Sequence, residues 1–276
     1  MKIVRIALAA LAVFASPAHA QSKEALDLAG RLFERCGLAV QLQSLPAQFE
    51  QGVEQSRGKL PDDVLRSLAD AGKLAYAEPA LRAEIVPLFA RKLTPSDMEQ
   101  VLAWLDGPAG RRLTLAEEAA SGRMTREAMQ KYFEEEKSKP ANPERERLMS
   151  DLAAAMNAAE IGASFIEAMS LGVAVGMDAT QPVEKRIGVA GLRERLRAAM
   201  PPDKLRAEMS ASLPGMYGFT YRGIGEDDLA AYVKFNQSPV GGRYNKAVTD
   251  ALAEALAHAS VRLGALVQPG PERERI

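Results

Sequence analysis

Arg112 and Arg243 are the residues whose type and position best suit contact with a ligand. Each follows a proline, Pro108 or Pro239, that suits the first position of a helix. A helix N-terminus with a guanidinium beside it attracts carboxylate or phosphate groups. No glycine-rich phosphate cradle accompanies Arg111, Arg112 or Arg243. Pairing with Asp97, Asp106 or Asp228 inside the protein is therefore the favoured role, with ligand contact the alternative. Trp104 and Phe235 precede the same two helix starts. With Tyr217, Phe219 and Tyr221 they stand out in a chain that is only 5% aromatic, where they either line a ligand groove or staple a helical core. Arg112, Arg243, Trp104 and Phe235 are the candidate ligand or partner contacts.

The remaining reactive side chains form no catalytic constellation. Glu117-Glu118 and Asp227-Asp228 are adjacent, and adjacent helical positions point about 100° apart, so neither makes a carboxylate pair by itself. No spacing singles out a Glu and an Asp for glycoside hydrolysis. His258 is the only histidine beyond residue 20 and Cys36 the only cysteine, which excludes the usual structural zinc sites. No nucleophile-elbow pattern accompanies His258, which reads as a helix residue in ALAHASVRL. Cys36, in LFERCGLAV, reads as a small buried apolar residue. No residue is assigned a catalytic, cofactor-binding or metal-binding role.

The candidate contacts belong to a block that occurs twice, LTPSDMEQVLAWLDGPAGRR at 93–112 and IGEDDLAAYVKFNQSPVGGR at 224–243. At an offset of 131, Asp97 meets Asp228, Trp104 meets Phe235, Pro108 meets Pro239, Gly110 meets Gly241 and Arg112 meets Arg243. Thr94-Pro95-Ser96-Asp97 is a helix start in which Thr94 caps and Asp97 returns a bond to the cap. Met98, Val101, Leu102 and Leu105 form the buried face of that helix. Asp106-Gly107 ends it, and Pro108 opens the next. In the second copy Ser238 is the better cap. Each block thus reads as helix, tight turn, helix, with Gly110 and Gly241 permitting close approach of a neighbouring helix.

Elsewhere, apolar residues recur three and four apart, which specifies an all-α fold. Leu26, Ala29, Leu32, Phe33, Cys36 and Val40 form one stripe. Val64, Leu65, Leu68, Ala71 and Leu74 form another, after Pro61 as first helical residue. Pro79 opens a further helix through Leu81, Ile85, Leu88 and Phe89, which Pro87 should kink or split. The charged stretch 134–147 contains Pro140 and Pro143 and reads as a boundary. The organisation is two related helical-bundle units in tandem, 21–138 and 144–267, each around its own core, followed by a polar tail, 268–276. The small, apolar stretch 152–177 reads as a buried helix. Glu160 and Glu167 argue against its spanning a membrane, and Gly172 and Gly176 favour close packing. A membrane-surface helix is the alternative, although its polar face lacks lysine and arginine.

Residues 1–20 have the features of a secretory signal peptide. Lys2 and Arg5 are basic, Ile6 to Phe14 form a short apolar core, and Ala18-His19-Ala20 is a small-x-small cleavage site. There is no twin arginine, and no cysteine follows the cut to carry a lipid. Cleavage after Ala20 would send the chain to the periplasm or the medium through the general secretory route. It would leave 33 basic and 36 acidic residues, a formal charge of −3. That balance gives no reason to expect nucleic acid or an anionic membrane as partner.

Phe235-Asn236-Gln237-Ser238-Pro239-Val240-Gly241-Gly242 resembles a motif of a secreted bacterial family of helical proteins, domain of unknown function 2059. In that motif an acidic-capped helix ends in an aromatic pair, and Ser-Pro-Val-Gly opens the next. Asn236 stands where the family usually has Tyr. The first copy, Trp104-Leu105-Asp106-Gly107-Pro108-Ala109-Gly110, is looser and lacks the serine cap. The resemblance implies two tandem copies and no catalytic residue. The expected function is a non-enzymatic binding or protein-interaction module of the cell envelope, with an envelope protein, peptide or amphiphile as partner. The alternative is a carboxylate-dependent cell-envelope hydrolase, which requires a cleft holding a buried acid of raised pKa.

Overall fold

The computed structural model describes residues 22–58, 60–121, 123–140 and 142–267. The segments read from the sequence as a signal peptide and a polar tail, 1–20 and 268–276, lie outside the described residues. Helices dominate, and no strand occurs among the described residues. The first half runs through α1 (Lys23–Arg35), α2 (Leu38–Gln43), α3 (Leu45–Glu54), α4 (Asp62–Ala75), α5 (Glu78–Lys92), α6 (Pro95–Leu105), α7 (Pro108–Ser121) and α8 (Arg126–Lys137). The second half contains α9 (Pro143–Ala155), α10 (Ala158–Ala179), α11 (Gly188–Ala199), α12 (Pro202–Thr220), α13 (Glu226–Gln237) and α14 (Pro239–Leu266).

Capping chemistry sets many of these boundaries. Thr94 Oγ1 accepts from the Asp97 amide at 3.1 Å, and the Thr94 amide donates to Asp97 Oδ2 at 3.3 Å. This is the reciprocal pair expected from the sequence. Ser238 Oγ accepts from the Gly241 amide at 3.1 Å. Pro61 is the cap of α4 rather than its first residue. Pro87 lies inside α5 without splitting it.

Two of the apolar stripes break where helix phase changes. Gly37, at φ +77°, separates α1 from α2. The register shifts there, so Leu38, Ala39 and Leu42 are buried while Val40 is 41% exposed. In α4 the inward position falls to Ala75, and Leu74 is 63% exposed. The apolar stretch 152–177 is also two helices rather than one. Asn157, at φ 53°, ends the first and starts α10. α10 then packs on α14, α12, α11 and α4. A Cβ on Gly176 would lie 2.7 Å from Leu263 Cδ2, and one on Gly172 would overlap the Tyr76 hydroxyl, so both glycines permit close packing. Glu160 and Glu167 pair with Arg206 (3.2 Å) and Arg197 (2.9 Å). By length and composition alone α10 could cross a membrane, but here it is a helix of the packed bundle.

The expectation of one core per unit is corrected by the cores themselves. The larger core joins α1 to α6 with Ala168 of α10 and with Ala247, Ala251, Ala255, Leu256, Ala259 and Leu263 of α14. The smaller joins α9, α13 and Tyr221 to Leu113 of α7. The second helix of each block therefore packs in the core of the opposite half. The tight turns at Asp106–Pro108 and Gln237–Pro239 direct this exchange. A Cβ on Gly110 would lie 2.7 Å from Leu105 Cα, and one on Gly241 2.9 Å from Asn236 Cα. The close approach that these glycines permit is thus to the preceding helix of their own block.

Candidate functional site

Of the four residues singled out from the sequence, Trp104 and Phe235 meet each other, and each arginine meets an aspartate of the opposite block. Arg112 Nε and Nη2 donate to Asp228 Oδ2 and Oδ1, each at 2.7 Å. Arg243 Nη2 and Nε donate to Asp97 Oδ1 at 2.5 and 3.2 Å. The arginine of each block is thereby held by the aspartate of the other. These guanidinium hydrogen bonds lower the pKa of Asp97 and Asp228. Trp104 stacks on Phe235 with ring centroids 4.3 Å apart and planes 13° from parallel, and on Tyr232 at 5.0 Å. Arg111 Nε donates to the Asp106 carbonyl at 2.7 Å. These side chains form the junction between the blocks, and their charges and ring faces are engaged there.

The other sequence candidates are also engaged. Cys36 is buried with its Sγ 3.5 Å from the Phe33 carbonyl, and burial pushes its pKa up to about 11. His258 is exposed on α14, its Nδ1 2.7 Å from Glu84 Oε2. Among the described residues, no three His, Cys, Asp or Glu side chains gather as metal ligands.

An open cavity of about 390 Å³ lies elsewhere, between α2, α3, α7, α10, α12 and α14. Leu42, Ile161, Phe165, Leu252 and Leu256 contribute to its apolar wall. Gln41, Ser44 and Gln48 stand on one rim, where Gln48 is exposed. Among the described residues, Glu117 of α7 is the single ionisable carboxyl in the lining. Tyr221 and Tyr232 both donate to its Oε1, at 2.6 and 2.9 Å. Glu117 sits deep in the protein yet keeps accessible surface, consistent with its place on the cavity wall. Burial raises its pKa; the two phenol hydrogen bonds pull the other way, and neighbouring Glu118 adds a smaller upward push. Burial likewise raises the pKa of Tyr221 and Tyr232 well above that of a free phenol.

Glu117 is the candidate site residue that sequence reasoning did not single out. The signal was helix phase: with Leu113 and Ala120, both buried, it forms an i, i+4, i+7 face. An acid on that face must point inward. Its neighbour Glu118 borders a separate surface hollow, so the two do not act as a pair. Tyr217 and Tyr221, expected in a groove or a core, line the cavity. Trp104 and Phe235 do not.

Residues 79–135 match a family described as an uncharacterized protein conserved in bacteria (DUF2059). The match is one copy, running from α5 into α8 and including the first block, the looser of the two against the motif. No curated protein and no solved structure matches the chain.

Proposed function

We propose that this chain is a non-enzymatic binding protein of the bacterial cell envelope that holds an amphiphile in the cavity beside Glu117. The supporting observation is the lining: an apolar wall with one carboxyl, the composition of a site that buries a chain and orients it by one polar group. The features of residues 1–20 support export to the periplasm or the medium. Duplication of an ancestral helical unit accounts for the reciprocal contacts. Equivalent residues of the two blocks then perform equivalent jobs, and each block lends its second helix to the other half.

The test is displacement of an environment-sensitive naphthylamine dye from the purified chain beginning at Gln21. Twelve-carbon amphiphiles should displace it saturably, and Leu42→Trp, which narrows the cavity, should weaken dye uptake. Dye binding unchanged in that variant counts against the reading.

The hydrolase reading draws support from Glu117, a deep acid of raised pKa in a cavity. Two-carboxylate chemistry needs a second acid, and no other carboxylate lines this cavity. Binding is therefore the reading we adopt.

A further inference from the structure

We propose that the ligand is a cationic amphiphile, its ammonium head set against Oε2 of Glu117 and its apolar tail laid along α2, α10 and α14. This rests on the cavity being a binding site and specifies what it takes.

Charge complementarity leads to this choice. Among the described residues, Glu117 is the only charged side chain in the lining; no described lysine or arginine stands there to receive an anionic head. Both phenols donate to Oε1, which leaves Oε2 without a hydrogen bond among the described residues. The groups acting electrostatically on this carboxyl are Tyr217 and Tyr221 from the α12 end, Tyr232 from α13, Tyr244 from α14, Cys36 before α2, and Glu118 on α7 itself. None is a cation. A deep carboxylate without a counter-charge is costly, and a cation supplied by the ligand removes that cost. The rings reinforce the preference. Tyr217 and Tyr221 meet edge to face at 5.5 Å in the lining, with Phe165 also on the wall, and aromatic faces attract ammonium groups. Beyond the head, leucine, isoleucine and methionine side chains suit a hydrocarbon tail.

Burial favours the protonated acid, whereas a bound cation favours the carboxylate. Ligand binding and loss of the Glu117 proton are therefore linked. A ligand of fixed charge should bind more tightly as pH rises through the titration of Glu117.

The experiment is calorimetry on the chain beginning at Gln21, with probes below their micelle concentrations. Dodecyltrimethylammonium carries a charge that does not titrate; dodecanol and laurate present neutral and anionic heads on a twelve-carbon chain; tetramethylammonium is the head alone. Dodecyltrimethylammonium should bind at least about tenfold more tightly than dodecanol or laurate, the size expected of a desolvated quaternary cation among aromatic faces. Its affinity should rise with pH, and tetramethylammonium should show no measurable binding. Glu117→Gln keeps an acceptor for both phenols and should lose the preference for the cation, binding dodecyltrimethylammonium no more tightly than dodecanol. If dodecanol or laurate binds as well as the cation, the head assignment is overturned while the cavity reading stands. If no twelve-carbon probe binds, both fall. The pH series on the unsubstituted protein decides the matter even if the variant fails to fold, since affinity flat with pH overturns the role of Glu117.

Discussion

Glu117 sits where a carboxylate is poorly solvated, under two phenols and with no cation in the cavity lining. Its pKa in the fold is raised. The stability it contributes is fully present below the unfolded value of about 4.3 and is lost as pH rises through the folded value. The urea midpoint of the native chain should therefore fall relative to that of Glu117→Gln as pH is raised from 4 upward. A gap between the two that stays constant with pH would contradict the assignment. The block glycines allow an equally local test. Gly241→Ala drives a Cβ against the backbone of Phe235 and Asn236, which cannot give way as a side-chain tip does. It should cost about 1–3 kcal/mol in urea unfolding, the range of an overpacked site. Gly242→Ala, with nothing within 4 Å of the new carbon, is the control and should be neutral or mildly stabilising.

At the scale of elements, the junction of α6 and α7 with α13 and α14 depends on two carboxylates whose pKa values are lowered by arginines. The sign is opposite to that of Glu117. Their stabilisation is present above the unfolded aspartate value of about 3.9 and is lost as pH falls through the lower folded values. Trp104 is the only tryptophan and lies in this junction, so its fluorescence reports on it directly. The emission should hold steady from pH 7 to about 4 and change below that. A spectrum unchanged to pH 2 would mean that the ion pairs do not hold the stack in place. The N-cap of α6 is testable in the same way. Thr94→Ala removes the side-chain acceptor for the Asp97 amide and should cost about 1 kcal/mol.

Over the whole molecule, the exchange of α7 and α14 ties the two halves together. The larger core cannot close without α14, and Leu113 of α7 belongs to the smaller one. Thermal unfolding should therefore be a single transition, with Trp104 fluorescence and far-ultraviolet dichroism coinciding. Two separated transitions would show that the halves fold independently. The cavity follows from the same exchange, because its wall takes residues from α2 and α7 of the first half and from α10, α12 and α14 of the second. Neither half encloses it alone.

The amino-acid sequence by itself determined the all-helical fold and the helix–turn–helix form of both blocks. These depend on local chemistry: three-and-four periodicity, the capping pair of Thr94 and Asp97, proline at first helical positions, and Ser238 as cap. The acids that hold Arg112 and Arg243 were also legible as candidates, since opposite charges recur at matching places in the two blocks. Tertiary structure alone decided which aspartate meets which arginine, and that α7 and α14 change sides. Those choices depend on two tight turns and on the glycines in the helix starts that follow them, and contacts 116 and 146 residues apart carry no local signal. It also decided the candidate site. Glu117 could be read onto the inward face of its helix, but the two phenols on its Oε1 and the apolar wall around it come from other elements spread over both halves, and only packing brings those together.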